Sequence, residues 1–254
     1  MPMITIPDSD LTAYQADPPR RGSDGSPRGA VIVIHEIWGL VDHIKDVADR
    51  LAAEGYLVVA PDILSDSGVT PSVGQELHDL AMNPDEATRT SAQPLLREKL
   101  SASREPEYGA WAVDQLRKVV DYLEAQPGVD GRIAVTGFCF GGSYTFALAA
   151  AESRIRAAAP FYGAPPETAD LAGIACPIHA FYGGTDERLM TSLPSVTRAM
   201  AAAGVDFRST VYDGAAHAFF NDTNATTYDP DAASDAWSRL LAFLGERLAA
   251  PTTG

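Results

Sequence analysis

Apolar residues in this chain come first as short unbroken runs, and then as a stripe that returns every third or fourth position. Val31-Ile32-Val33-Ile34 and Leu57-Val58-Val59-Ala60 are continuous and largely β-branched, the composition of strands buried on both faces of a parallel sheet. Between them, Ile44, Val47, Ala48 and Leu51 mark one face of a helix over about 42–54, which Gly55 stops. The alternation continues. A helix near 106–125 carries Val113, Leu116, Val119, Val120 and Leu123, and Pro127-Gly128 ends it. Strands are expected at 132–136, 157–161, 177–182 and 207–212, with helices near 141–152, 192–203 and 230–249. Asp229 is the expected cap of the last helix, and Pro230 its first residue. Upstream, 3–16 reads as two short strands around Asp8-Ser9-Asp10, and 18–29 has loop composition. Strand–helix alternation of this kind predicts an α/β protein: an open, mostly parallel central sheet with helices on both faces. With no repeat or linker in view, residues 1–254 read as one domain.

One stretch breaks the pattern. Residues 63–105 hold prolines and polar residues but no clear strand, with helical fragments near 72–82 and 92–100. A segment of that length between a strand and a helix is usually functional when ordered. It reads as a surface excursion or as a cap over a site, and both remain open.

Composition narrows the function. Hydrophobic residues make up 46% and charged residues 21%, ordinary for a globular chain. A formal charge of −15 argues against nucleic acid or an anionic membrane as partner, but not against a small substrate in a locally basic pocket. The two cysteines, Cys139 and Cys176, are too few for a disulfide scaffold and fit a reducing compartment. Without a signal-peptide pattern at the start, or the roughly 18 apolar residues of a membrane span, a cytoplasmic protein is expected.

The strongest chemical signal is Gly137-Phe138-Cys139-Phe140-Gly141-Gly142, between the strand 132–136 and the following helix. This is the strand–turn–helix context of a nucleophile elbow, G-x-Nu-x-G, with cysteine as the nucleophile. Such a turn strains the backbone at the nucleophile. Gly137 and Gly141 remove the collisions that side chains would cause there, and Gly142 lets the helix approach the sheet. The helix N-terminus beneath Cys139 is expected to favour a thiolate. The plain alternative is a small buried core cysteine, which is how Cys176 reads.

A cysteine nucleophile needs a base, and α/β-hydrolases order their triad as nucleophile, acid, histidine. Asp186 follows the strand 177–182 through Gly183-Gly184-Thr185, and His217 lies in the loop after the strand 207–212. Both fall at carboxyl ends of strands, where open α/β sheets keep their sites. Each has a modest alternative, Asp186 as a helix cap and His217 as a loop residue bonded to backbone. His35-Glu36-Ile37-Trp38 follows the first buried strand, where the second oxyanion donor belongs, so Ile37 N–H and Phe140 N–H are the expected hole. Glu36 by position alone is as well read as an exposed turn carboxylate. His35-Glu36 does not begin a zinc-protease H-E-x-x-H, because Gly39 stands at the fifth position. Nor do the elbow glycines have dinucleotide spacing.

These segments together resemble the dienelactone hydrolase family, whose members are α/β-hydrolases. The matching pieces are 34–40, Ala60-Pro61-Asp62, the elbow at 137–142, Phe161-Tyr162-Gly163, the Asp186 turn and Ala216-His217-Ala218-Phe219. The resemblance implies a triad of Cys139, His217 and Asp186, and a glutamate, Glu36, that interacts with the nucleophile and helps generate its thiolate when substrate binds. It also implies an aromatic substrate pocket, here Trp38, Tyr162 and Phe219. One departure concerns substrate. The family holds a substrate carboxylate with arginines, one of them four residues after the histidine, and Asn221 stands there. An amide has neither the charge nor the fork of a guanidinium, so Asn221 is expected at the substrate with a weakened preference for carboxylated lactones. Arg89, Arg97 and Arg104 are the arginines that 63–105 could supply.

The expected reaction is cleavage of a small ester or lactone through a thioester, with no metal and no organic cofactor, by a monomer or homodimer. Three other readings stand beside it: a carboxylesterase of broader specificity, a non-catalytic or redox-sensing scaffold, and a cysteine amidotransferase. The last normally keeps its histidine and acid close together, unlike Asp186 and His217.

Overall fold

The computed structural model describes residues 2–19, 25–165, 167 and 169–250, so part of the loop expected at 18–29 and the ends of the 1–254 span lie outside the described residues. An eight-stranded sheet runs in the order β1-β2-β4-β3-β5-β6-β7-β8. Its strands are β1 (Met3–Thr5), β2 (Thr12–Ala16), β3 (Ala30–Ile34), β4 (Leu57–Pro61), β5 (Ile133–Phe138), β6 (Ile155–Phe161), β7 (Ile178–Gly183) and β8 (Phe207–Tyr212). β1 and β2 are antiparallel additions, and β4-β3-β5-β6-β7-β8 is parallel throughout. All residues of β3, β4, β5 and β7 are buried, as their unbroken apolar runs require. β8, at the edge, is half exposed and carries Arg208, Ser209 and Thr210, polar groups that discourage edge-to-edge pairing.

Helices α1 (Asp42–Ala53), α4 (Pro106–Glu124), α5 (Phe140–Ala151), α6 (Glu187–Ala202) and α7 (Pro230–Arg247) cover the sheet. The α1 stripe is buried as predicted, and α1 meets α7 through the Arg50 guanidinium, 4.2 Å from the Trp237 ring. α7 opens on Asp229, whose carboxylate accepts from Asp231 N–H and Ala232 N–H, with Pro230 in the first turn.

The segment 63–105 is largely helical. α2 (Pro71–Ala81) and α3 (Glu86–Lys99) pack on each other over a small separate core of Leu64, Val69, Leu77, Ala92, Leu96 and Leu100. Ile37, Trp38 and Phe140 pack against that core. Both α3 and α6 start several residues earlier than the sequence pattern suggests, and the cause is the same. Each contains an internal proline, Pro94 or Pro194, which reads as a helix breaker. Each is nevertheless started by an aspartate cap, Asp85 or Asp186, which satisfies a free amide of the first turn.

Candidate active site

The chain reverses its direction of travel across the sheet at β3, whose neighbours are β4 on one side and β5 on the other. In open α/β sheets the crevice at such a switch point is where ligands bind. The loops after β3, β5, β7 and β8 bring together the residues that the sequence singled out.

Cys139 sits between β5 and α5 with φ +55° and ψ −108°, a conformation side chains avoid. The turn is as tight as the glycines imply. A Cβ on Gly137 would overlap the Gly141 carbonyl, and one on Gly141 would overlap the carbonyls of Ile34 and His35. The elbow and the loop after β3 are therefore in backbone contact. Two further non-glycine residues of the site have left-handed backbone, Tyr162 (φ +39°) and Ala218 (φ +62°).

Cys139 is half-buried, but enough protein surrounds the sulfur that burial pushes its pKa up to about 12. The Glu36 carboxylate adds to the rise, while the Phe140 N–H and the Arg188 charge oppose it. Desolvation and the neighbouring acid thus work against the thiolate that the helix N-terminus is expected to favour. Cys176 is buried in the main core, as expected.

Asp186 divides its carboxylate. Oδ1 accepts from Leu189 N–H at 3.1 Å and caps α6, while Oδ2 meets His217 Nδ1 at 2.5 Å. The helix cap and a contact to His217, set apart as alternatives above, are thus made by the same side chain. With Nδ1–H donating to Asp186, His217 keeps Nε2 as its open nitrogen. The His217 ring is half-buried and packs at 5.1 Å on Tyr162.

Glu36 is 1% exposed, so the exposed-turn reading fails. Asn221 Nδ2–H donates to Oε2 at 2.7 Å, and the Tyr162 hydroxyl lies 3.4 Å from Oε1. Among the described residues no cation pairs with it. Burial pushes its pKa up to about 7, against the pull of the Asn221 and Tyr162 hydrogen bonds. The Phe140 N–H points at the Cys139 sulfur, at the first turn of α5.

Several residues expected to line a substrate pocket do something else. Asn221 is 2% exposed and its amide donates to Glu36. Tyr162 and Phe219 are fully buried. Their rings pack edge-on against each other and at tilted angles against Phe138, Phe161 and Tyr212, a packed floor under His217. Trp38 is half-buried and meets the His78 ring of α2 edge-on. A cavity of about 500 Å³ borders His217 on the α2–α3 side, lined also by Met82, Asn83, Arg89, Asn224 and Thr227. Arg89 thus reaches a cavity beside His217, while the Arg104 side chain lies outside the described residues.

The sequence missed His35. It is fully buried; Nδ1 lies 2.7 Å from the Glu36 carbonyl, and Nε2 accepts from Ile63 N–H at 3.2 Å. These partners require a neutral ring with its proton on Nδ1, and burial pushes the pKa down in agreement. His35 ties the Glu36 loop to the exit of β4. There Asp62 organises the next turn by accepting from Leu64 N–H, Ser65 N–H and the Ser65 hydroxyl. No acid partner marks His35 in the sequence, because its partners are backbone groups.

Comparison with known proteins agrees with this architecture. Residues 11–248 match the family model described as "Dienelactone hydrolase family". The chain is 32% identical over 243 residues to a Saccharolobus solfataricus protein named "Putative carboxymethylenebutenolidase", covering 86% of this chain and 90% of that one. An Escherichia coli K12 protein of the same name is 32% identical over 91% of this chain and 81% of its own length. Among solved structures, a Klebsiella pneumoniae protein titled "Putative Dienelactone Hydrolase" superposes with a TM-score of 0.79 at 29% identity, covering 96% and 98% of the two chains. A dienelactone hydrolase-like promiscuous phosphotriesterase from metagenomic libraries shares the fold at TM-score 0.65 and 22% identity, over 93% and 98% of the chains.

Proposed function

This chain belongs to the dienelactone hydrolase family and is a carboxylic ester hydrolase, and from that premise we propose that it cleaves a small ester or lactone through a thioester on Cys139. The observation that carries the reading is the His217–Asp186 hydrogen bond, made at the same end of the sheet as the strained Cys139 turn. The proton leaving Cys139 Sγ ends on the departing oxygen, with Glu36 its first acceptor and His217 Nε2 the group that hands it on. The sulfur attacks the carbonyl, and the amides of Ile37 and Phe140 hold the oxyanion. Water then attacks the thioester, giving its proton to His217, and the thiol is restored. A thiol that ionises only during this sequence is protected from oxidation in the resting enzyme.

The α2–α3 hairpin acts as a cap. Its core rests on Ile37, Trp38 and Phe140, and a Cβ on Gly74 would overlap the Trp38 carbonyl, so α2 lies directly on the oxyanion loop. No helix of the described residues is long and apolar enough to cross a membrane. The test is to react the protein with p-nitrophenyl acetate, quench in acid and weigh the intact chain. An acetyl adduct on the Cys139 peptide, lost in Cys139→Ala, is expected; turnover with the adduct on another residue, or undiminished turnover in Cys139→Ala, would overturn the assignment.

A further inference from the structure

The loop after β8 reaches both carboxylates of the site. His217 meets Asp186, and four residues on Asn221 meets Glu36. The second contact is built with care. Asn221 Oδ1 accepts from Thr223 N–H at 3.0 Å and from the Thr223 hydroxyl at 2.6 Å, so the oxygen end of the amide is occupied and the NH₂ end must face Glu36. The backbone is fixed as well: Asn221 N–H donates to the Ala218 carbonyl at 3.0 Å, and the Asn221 carbonyl accepts from Asn224 N–H at 3.1 Å. A buried amide oriented by two hydrogen bonds from its own turn, on a backbone fixed by two more, is not filling space.

We infer that Asn221 is a positioning residue for Glu36, an uncharged holder that fixes Oε2 and leaves Oε1, met only by the long Tyr162 hydroxyl contact of 3.4 Å, as the oxygen that gains and loses a proton beside Cys139. This rests on the proposal that Glu36 receives the Cys139 proton. The chemistry requires a holder of this kind. A cation in its place would keep Glu36 a carboxylate and weaken it as a base, whereas an apolar side chain would leave Oε2 without a donor and favour the neutral acid. A carboxamide stabilises both forms, because Oε2 accepts from Nδ2–H whether or not Oε1 carries a proton. When Oε1 takes the Sγ proton, the Glu36 charge that helped raise the Cys139 pKa disappears, so the transfer is easier than the resting thiol suggests. No charged group on the substrate is needed to set Glu36 free. Neutral esters should therefore activate the thiol as well as charged ones.

The experiment is the pH dependence of Cys139 alkylation by iodoacetamide, with melting temperature as the check on folding. In the wild type the rate should rise through the ionisation of Glu36 near pH 7. Asn221→Leu should move that midpoint up by about one to two pH units, the loss of one hydrogen bond to a charged group. Asn221→Ser keeps a smaller donor and should shift it less, which also covers the case where Asn221→Leu fails to fold. In a Glu36→Gln background Asn221→Leu should have no further effect on the profile. A rate lowered equally at every pH, or a midpoint that moves in Glu36→Gln but in neither Asn221 variant, would overturn the inference and leave Glu36 in its role. A profile unmoved by any of the substitutions would remove Glu36 itself, and the inference with it.

Discussion

The two carboxylates of the site are both well buried, yet they are held in opposite ways. Asp186 has a helix amide on one oxygen and an imidazole on the other. Among the described residues Glu36 has only uncharged donors, an amide and a phenol. A carboxylate at a helix N-terminus beside a histidine is kept where its charge is welcome. A carboxyl group in an uncharged pocket is kept where its charge is barely tolerated, and so it can change state. The difference suits their proposed work, since one orients a base and the other accepts a proton.

The sharpest way to break this contrast begins with the group it serves. Cys139→Ala should lower kcat by about a thousandfold or more while leaving the melting temperature nearly unchanged, whereas Cys176→Ala should leave activity within about twofold. Asp186→Asn then separates the two duties of one side chain. Asparagine caps a helix as well as aspartate does, so stability should barely change. The wrong imidazole tautomer should nevertheless lower kcat by about a thousandfold or more. Asp186→Ala should add about 1 kcal/mol of destabilisation, measured by urea unfolding. If Asp186→Asn keeps full activity, the His217 contact is structural.

Glu36 offers the converse experiment, because its charge opposes folding. The folded pKa, raised from 4.5 to about 7, means that the native state binds the proton more tightly than the unfolded chain. Stability should therefore fall as pH rises from about 4.5 to about 7, and stay lower above that. Two and a half pKa units correspond to about 3 kcal/mol. Glu36→Gln should abolish this slope, being more stable than wild type at pH 8 and losing that advantage towards pH 5. A parallel pair of urea-unfolding curves at the two pH values would show that Glu36 is not held as described.

The smallest effect concerns substrate. Arg89 borders the cavity beside His217, but one end of its guanidinium already donates to the Asn83 and Pro84 carbonyls, and the side chain is only half-buried. Such a cation should contribute about 1 kcal/mol. Arg89→Met is expected to lower kcat/KM for a carboxylated lactone about three- to tenfold relative to its methyl ester. An unchanged ratio would mean that Arg89 only pins the turn between α2 and α3.

Much of this was legible in the sequence, and the exceptions share a cause. Unbroken β-branched runs located the parallel strands, and the glycine frame of Cys139 needed no tertiary information, because its reasons are local and steric. The order of Cys139, Asp186 and His217 located the triad candidates for a similar reason: strand ends fix where loops can meet. What stayed hidden depends on neighbours remote in the chain. Asn221 reads as a substrate contact until Glu36, far away in sequence, is found against it. Tyr162 and Phe219 read as pocket aromatics until the rings beneath them are counted as floor. The protonation of Cys139 could not be read at all, since a helix N-terminus is visible in sequence and desolvation is not.

The left-handed backbone at Cys139, Tyr162 and Ala218 has a consequence for the history of such a chain. Each such residue costs about 1–3 kcal/mol, and all three stand around one catalytic crevice. Substitution by glycine at Cys139 or Ala218 would relieve that strain, whereas at Tyr162 it would also empty the place of a packed ring. Drift under selection for heat resistance alone would thus erode the crevice before it touched the sheet. Their retention in a folded, active enzyme would record selection for turnover, and a heat-stabilised lineage that had lost them should be looked for among its inactive relatives.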